Sequence, residues 1–246
     1  MNEAIRTEGL VKTFGQGRAR VRALDGLDLS VPAGEAHGLL GAAGAGKTTA
    51  FRALLGLVRA DSGTARLLDG DPWRDAVRLH RRLAFAPAAV RFWPGLSGGE
   101  IIDLLGRLRG GRADGRRRDE LVARLDLDPR RKARTYSAGE RQKLTVISAL
   151  ASDAELLMLD RPAADMDPPA RAVVRACLAE ERRDGRTLLL SGESLGELAE
   201  VCDRISVVRS GRTVESGPPD GLRHASPEDL LLSQDAVLEN RRAAAP

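Results

Sequence analysis

Residues 41–49 read GAAGAGKTT, a glycine-rich run that ends in a lysine and two threonines. The run satisfies the pattern G-x-x-x-x-G-K-[ST] and lies between a predicted strand at 36–42 and a predicted helix at 47–57. Glycines let backbone N–H groups turn toward one anion, the helix N-terminus adds a positive dipole, and the lysine reaches the outer phosphates of a nucleotide. Phosphate binding is therefore predicted, against the alternative of an ordinary strand-to-helix turn. The predicted contacts are Gly41, Gly44, Gly46, Lys47, Thr48 and Thr49.

A second chemical feature is LLMLD, residues 156–160, in which four apolar residues precede an aspartate. The apolar residues predict a buried strand, and Asp160 falls at its carboxyl end, where ligands bind in parallel sheets. An aspartate there can hold the coordination shell of Mg²⁺ together with the hydroxyl of Thr48. An apolar run with one aspartate is by itself a weak pattern that usually marks a strand end. Together with the glycine-rich run it predicts a MgATP site, with Thr48 and Asp160 as its metal-binding residues.

Two similar strings lie between these motifs, LSGGE at 96–100 and YSAGE at 136–140. Both have the S-x-x-E form of a capping box, which starts a helix. YSAGE leads through one helix directly to LLMLD, and in this layout the chain resembles the ATP-binding subunits of ABC transporters. LSGGE is closer to the letters of that family's signature but lies one whole helix earlier. We therefore interpret LSGGE as a helix start and YSAGE as the signature loop.

The resemblance covers roughly residues 3–217 and implies a fold and a set of contacts. The implied fold is a P-loop NTPase core with a mostly parallel sheet, an antiparallel β region and a helical subdomain. Two such domains close head to tail around two ATP molecules, each phosphate loop facing the signature of the other chain. Phe14 matches the aromatic that stacks on adenine, with a core phenylalanine as the alternative, and residues 164–167 match the D-loop. The further nucleotide-binding residues carried over are Phe14, Ser137, Gly139 and Asp167.

Three residues depart from the family pattern at positions that the family uses for chemistry. Arg161 stands in place of the glutamate that polarises the attacking water, Glu193 in place of the switch histidine, and Ala88 in place of a glutamine that contacts Mg²⁺ and water. An arginine cannot accept a proton near neutral pH. No catalytic residue is therefore assigned, and we predict MgATP binding with impaired hydrolysis at this chain's own site. A catalytically active enzyme that uses Glu193 as a substitute base, with Arg161 as a charge clamp, is the alternative.

These motifs require an α/β architecture, and the chain has the alternation that predicts one. Short apolar runs alternate with longer helical patterns, which favours a largely parallel sheet. Residues 5–14 and 23–31 predict a hairpin, whereas the stretch at about 97–151 has three helical segments and no strand. We predict a nucleotide-binding domain at 1–217, with 97–151 as its helical subdomain, and a C-terminal tail at 218–246. The other predicted elements are strands at 64–70, 83–87, 156–160, 187–192 and 204–211, and helices at 168–183, 194–203 and around 227–240.

Composition limits the remaining function classes. The 246 residues carry a formal net charge of +4, and the basic pI, near 9.6, follows from arginine enrichment and argues only weakly for nucleic acid. No run approaches the roughly 18 apolar residues of a membrane span, and the N-terminus lacks the apolar stretch of a signal peptide. Cys177 and Cys202 share no metal-type spacing, which suits a reduced, cytoplasmic protein.

The resemblance also implies partners and a location. An integral membrane permease subunit and a second ATP-binding subunit are expected, and no nucleic acid. A heterodimer is favoured over a homodimer, because a homodimer would carry the same three losses in both sites. The chain would then lie in the cytoplasm at the inner face of the membrane, held there by its partner. The alternatives are a nucleotide-sensing regulatory protein with no transport role and an ATPase that acts on nucleic acid.

Overall fold

The computed structural model describes residues 2–17, 20–111 and 114–223 of the chain. The predicted helix around 227–240 lies outside the described residues, as does most of the predicted tail. The elements in chain order are β1 (Glu3–Phe14), β2 (Val21–Pro32), β3 (Ala36–Leu40), α1 (Lys47–Leu54), β4 (Ser62–Leu67), α2 (Ala76–His80), β5 (Leu83–Ala86), α3 (Gly98–Arg109), α4 (Gly115–Arg124), α5 (Ala138–Leu150), β6 (Leu156–Asp160), α6 (Pro168–Arg183), β7 (Thr187–Gly192), α7 (Leu195–Ala199), β8 (Arg204–Arg209) and β9 (Arg212–Gly217).

The central layer is a six-stranded sheet with the order β5-β6-β7-β3-β8-β9. Its first five strands are parallel, and β9 pairs antiparallel with β8 at one edge. In β6, Leu157 and Leu159 join one core cluster while Leu156 and Met158 join the other. Burial on both faces explains why this strand is a continuous apolar run and does not alternate. The predicted fold class, α/β with a mostly parallel sheet, is confirmed.

A smaller antiparallel sheet, with the order β2-β1-β4, forms a second β region. The predicted hairpin is confirmed in a longer form, since β1 and β2 each have 12 residues and pair antiparallel. One face of this sheet packs over α1 through a core cluster that includes Ile5, Leu27 and Phe51. The same cluster includes Met158 and Leu189 of the central sheet, so α1 packs between the two sheets.

Helices α3, α4 and α5 form a lobe without strands, as the pattern between 97 and 151 predicts. Ser97 caps α3 and Ser137 caps α5, and in both cases the glutamate three residues later bonds back to the serine N–H. The interpretation of LSGGE as a helix start is therefore confirmed, and YSAGE has the same local geometry. Among the described residues, no helix combines the length and apolar character that a membrane span requires. The predicted domain limits at 151 and 217 stay predictions.

Several elements differ from the sequence expectation. Helix α1 ends at Leu54 and not at 57, because Gly56 adopts a left-handed backbone with φ of 66°. The helix expected at 194–203 is only the five residues of α7. The sequence pattern does not predict α2, which is short and buries only Leu79, or β9, an edge strand whose residues alternate between exposed and half-buried.

Candidate nucleotide-binding site

The candidate site lies where three neighbouring parallel strands, β6, β7 and β3, end at one edge of the sheet. Leu40 at the end of β3 is level with Gly192, and Asp160 at the end of β6 is level with Ser191. The N–H of Gly41 donates to the carbonyl of Gly192 at 3.3 Å. The topology thus brings the glycine-rich run and LLMLD together at the sheet edge where ligands bind in such folds.

The phosphate loop, residues 41–47, turns from β3 directly into α1. Gly46 has a φ of 109°, and a Cβ there would lie 2.5 Å from the carbonyl oxygen of Ala23, so both backbone conformation and space require glycine. Gly44 also has a positive φ, 83°. A curled backbone followed by a helix N-terminus is the geometry of an anion nest. The loop therefore fits a phosphate chain.

Lys47 folds back over this loop. Its Nζ donates to two loop carbonyls at 2.6 and 2.9 Å, and the residue is only 5% exposed. Burial lowers the pKa of the Lys47 ammonium, the carboxylates of Glu193 and Asp160 act to raise that pKa, and the Arg161 guanidinium acts to lower it. The lysine charge is thus held inside the loop, within electrostatic reach of these three residues.

Asp160 is buried, and both of its carboxylate oxygens accept hydrogen bonds. Thr48 Oγ1 donates to Oδ2 at 2.7 Å, and Ser191 Oγ donates to Oδ1 at 2.5 Å. The predicted metal-binding pair is therefore in direct contact, and hydroxyl and carboxylate oxygens are the ligands that Mg²⁺ prefers. Thr49 follows on α1 and is half-buried. Sequence reasoning missed Ser191, although its hydroxyl ends the apolar run TLLL of a strand at the same sheet edge.

Arg161 and Glu193 form an ion pair across the ends of β6 and β7, with Arg161 Nη1 3.4 Å from Glu193 Oε1. The N–H of Arg161 donates to Ser191 Oγ at 3.0 Å, and its φ is 47°, a left-handed value for a residue other than glycine. Both side chains stay 42–44% exposed. The two departures of opposite charge thus meet in space beside Asp160.

Ala88 follows β5 in a half-buried loop. The neighbouring Pro87 carbonyl accepts a hydrogen bond from Gln142 Nε2 at 3.2 Å, and Gln142 belongs to α5 and is buried. A methyl side chain offers no ligand atom for Mg²⁺ or water. Sequence reasoning missed Gln142, whose amide joins the helical lobe to this loop of the core.

The signature residues lie at the start of α5, packed on the D-loop of the same chain. A Cβ on Gly139 would lie 2.7 Å from the carbonyl oxygen of Asp165, so glycine permits this close approach. Ser137 Oγ accepts the N–H three residues later at 3.1 Å, and Asp167 Oδ1 accepts the N–H of Ala170 at 2.8 Å. Ser137 and Asp167 thus cap α5 and α6, and both residues are exposed.

Phe14 ends β1 and is 39% exposed, so the alternative of a core phenylalanine is wrong. The ammonium of Lys12 lies 5.6 Å from the ring centroid. An exposed ring at a strand end is suited to stacking on a planar base.

The fold and the site together define a P-loop nucleotide-binding domain of the ATPase type. A family model described as ABC transporter matches residues 24–164. The chain belongs to this family, and it is an ATP-binding subunit. ATP and Mg²⁺ are the ligands of this family, and the residues fit them, since Lys47, Thr48 and Asp160 are already assembled around a glycine-lined nest.

Curated relatives agree with this assignment, and solved structures share the fold. The daunorubicin resistance ATP-binding protein DrrA3 of Streptomyces coeruleorubidus is 38% identical over 239 residues, covering 96% of this chain and 73% of that protein. The bacitracin transport ATP-binding protein BcrA of Enterococcus faecalis is 32% identical over 217 residues, covering 87% of this chain and 69% of that protein. Among solved structures, an ATP-binding subunit of an ABC transporter has a TM-score of 0.82 at 23% identity, covering 93% of this chain and 98% of that one. A dimeric ATP-binding cassette bound to ADP and Pi has a TM-score of 0.78 at 20% identity, covering 89% and 100%.

Proposed function

We propose that this subunit holds MgATP at its own phosphate loop and hydrolyses it very slowly or not at all. The observation that carries the proposal is the ion pair of Arg161 with Glu193. It occupies the two positions that resemble those of the family's general base and switch histidine. Lys47, Thr48 and Asp160, the residues for binding, remain in mutual contact or electrostatic range.

The physical argument concerns the proton of the attacking water. A guanidinium stays charged at any physiological pH and cannot accept a proton, and Ala88 has no polar side-chain atom. Glu193 could accept one, but its carboxylate is paired with Arg161. Loss of a positioned general base typically lowers the rate by about 10²–10⁴.

The experiment measures MgATP affinity and turnover of the purified chain in parallel. We expect wild type to bind MgATP and to turn it over no faster than Lys47→Ala, which serves as the background. The triple variant Arg161→Glu, Glu193→His, Ala88→Gln should exceed this background by about 10²-fold or more.

Glu193→Gln separates this proposal from the alternative of an active enzyme. Wild-type turnover well above the Lys47→Ala background would contradict the proposal. If Glu193→Gln then abolished that turnover, Glu193 would be assigned as the substitute base.

The second part of the proposal is an asymmetric pair with a different ATP-binding subunit. The signature and D-loop residues Ser137, Gly139 and Asp167 keep the family's residue types, and the first and last are exposed. They can therefore complete a hydrolytic site whose phosphate loop belongs to the other subunit. Native mass spectrometry of the complex should find one copy of this chain beside a second ATP-binding subunit. A homodimer that alone supports transport would exclude this arrangement.

The third part concerns the membrane permease with which subunits of this family work. A cavity of about 360 Å³ lies between the core and the helical lobe, with mostly apolar side chains around it. It borders the loop of Ala88, the loop that resembles the family's transporter contact, and its rim carries Leu108 and Leu57, 68% and 61% exposed. We place a segment of the permease here, which would hold the chain at the inner face of the membrane. Cross-linking from a Leu108→Cys variant should capture an integral membrane protein; capture of none would favour a regulatory protein without a transport role.

A further inference from the structure

We propose that Arg161 is the residue that distinguishes ATP from ADP at this site. Its guanidinium exchanges the carboxylate of Glu193 for the terminal phosphate of ATP, so Glu193 acts as a built-in competitor of that phosphate. This inference deepens the proposed function, on which it rests, by assigning a residue to nucleotide selectivity.

The backbone of Arg161 is fixed to the metal-binding aspartate. It follows Asp160 directly, and its N–H donates to the Ser191 hydroxyl, which donates in turn to the carboxylate of Asp160. Its φ of 47° is left-handed, so the backbone leaves the extended conformation of β6 at this residue. The side chain, in contrast, is 42% exposed and free to change partner. Arg161 thus combines a backbone held by hydrogen bonds with an exposed guanidinium that can contact a bound phosphate.

Glu193 is tied to the phosphate loop in the same way. It follows Gly192, whose carbonyl accepts the N–H of Gly41 at 3.3 Å. Arg161 therefore follows a predicted metal-binding residue, and Glu193 follows a residue that is hydrogen-bonded to the phosphate loop. The Lys47 ammonium, which the loop surrounds, is within electrostatic reach of both. The pair thus borders the end of the site where lysine and magnesium hold the outer phosphates.

The bond between the two side chains is weak enough to be exchanged. At 3.4 Å it is longer than a normal charge-assisted hydrogen bond of about 2.7–2.9 Å. A guanidinium has five N–H donors, and among the described residues the Arg161 side chain donates only to Glu193. A phosphate can accept two of these donors side by side. ADP lacks the phosphate that would compete with Glu193, so only ATP gains this contact.

The test is the ratio of ADP to ATP dissociation constants in the presence of Mg²⁺, measured by calorimetry on the full chain. Arg161→Gln should weaken ATP binding by about 10- to 100-fold and leave ADP binding within about twofold. Glu193→Gln should strengthen ATP binding several-fold, because it removes the competing charge, again with little change for ADP. The matched control is Arg175→Gln, which should change neither constant. Arg175 lines the same cavity as Arg161 and Glu193 but is paired with Glu200 at 2.7 Å.

Equal losses for ATP and ADP in Arg161→Gln, or no loss for either, would overturn the proposal. If Arg161→Gln does not fold, Glu193→Gln decides, since unchanged ATP affinity there contradicts competition. Turnover is recorded on the same samples. Rapid wild-type hydrolysis would refute the proposed function. Equal losses of ATP and ADP affinity in Arg161→Gln, with no wild-type hydrolysis, would refute only the role of Arg161.

Discussion

At the scale of single residues, the candidate site combines predicted binding groups with an ion pair at two positions where the family resemblance implies catalytic groups. Thr48 donates to Asp160, and the Lys47 ammonium donates to the carbonyls of the phosphate loop, in an arrangement that fits MgATP. Arg161 and Glu193 form an ion pair, to which the proposed function attributes the loss of water activation. Under the proposed function, substitution at a few positions would leave the architecture of the nucleotide site unchanged while altering the chemistry that it supports.

Asp160→Asn should remove the dependence of ATP affinity on magnesium. Wild type should bind ATP at least about tenfold more tightly with Mg²⁺ than with EDTA, because the buried carboxylate supplies negative charge to the metal shell. In Asp160→Asn the two affinities should become equal. The measurement is a pair of ATP titrations, with Asp165→Asn, an exposed D-loop residue, as control. A variant that keeps the magnesium effect would show that Asp160 is no metal ligand.

At the scale of elements, two capping boxes of the same form differ in how closely the neighbouring chain packs against them. Gly99 in α3 and Gly139 in α5 occupy the same position after their capping serines. A Cβ on Gly99 would meet its nearest neighbour at 3.5 Å, an ordinary contact, whereas on Gly139 it would lie 2.7 Å from the D-loop backbone. The start of α5 is therefore tightly packed against the D-loop, whereas the start of α3 has space for a Cβ atom at Gly99.

These glycines give opposite stability predictions. Gly139→Ala should lower the free energy of unfolding by about 1–3 kcal/mol, because the D-loop must move. Gly99→Ala should raise it by about 0.5–1 kcal/mol, since alanine is favoured over glycine inside a helix. Urea denaturation of both variants measures this. A destabilised Gly99→Ala together with a neutral Gly139→Ala would contradict the packing argument.

Sequence reasoning predicts an element where burial produces a recognisable apolar pattern, or where the backbone conformation requires a particular residue type. LLMLD is recognisable because both faces of β6 are buried, and the phosphate loop because Gly46 must adopt φ of 109°. The strand β9 is not recognisable, since an edge strand with one neighbour needs no apolar run. The contact of Arg161 with Glu193 joins residues 32 positions apart, so no local pattern could indicate it. The contact of Ser191 with Asp160 is also between distant positions, so only the place of Ser191 at a strand end could have indicated it.

At the scale of the whole molecule, charged side chains connect the helical lobe to the core. Glu181 of α6 is buried and pairs with Arg117 of α4 at 3.0 Å and with Arg186 at 2.7 Å. Arg124 of α4 pairs with Glu180 of α6 at 2.7 Å. These pairs fix the angle between the lobe that carries the signature and the core that carries the phosphate loop.

Glu181→Ala should therefore destabilise the molecule markedly. It leaves two arginines without their buried partner, which typically costs about 3–5 kcal/mol, here at the lower end because the arginines are partly exposed. The control is Glu120→Ala, which removes an exposed partner of the same Arg117 and should cost about 0–1 kcal/mol. Thermal unfolding of both variants tests this, and equal melting temperatures would show that burial of the pair is unimportant.

The pairing of Arg161 with Glu193 also affects how this lineage could change. Replacing Arg161 by glutamate alone would set a new carboxylate against Glu193 and next to Asp160. Replacing Glu193 by histidine alone would remove the carboxylate that pairs with Arg161 and that acts to raise the pKa of the Lys47 ammonium. Each single replacement thus disturbs the charge balance between these neighbouring side chains. Under the proposed function, the recovery of hydrolysis would therefore depend on changing both members of the ion pair together.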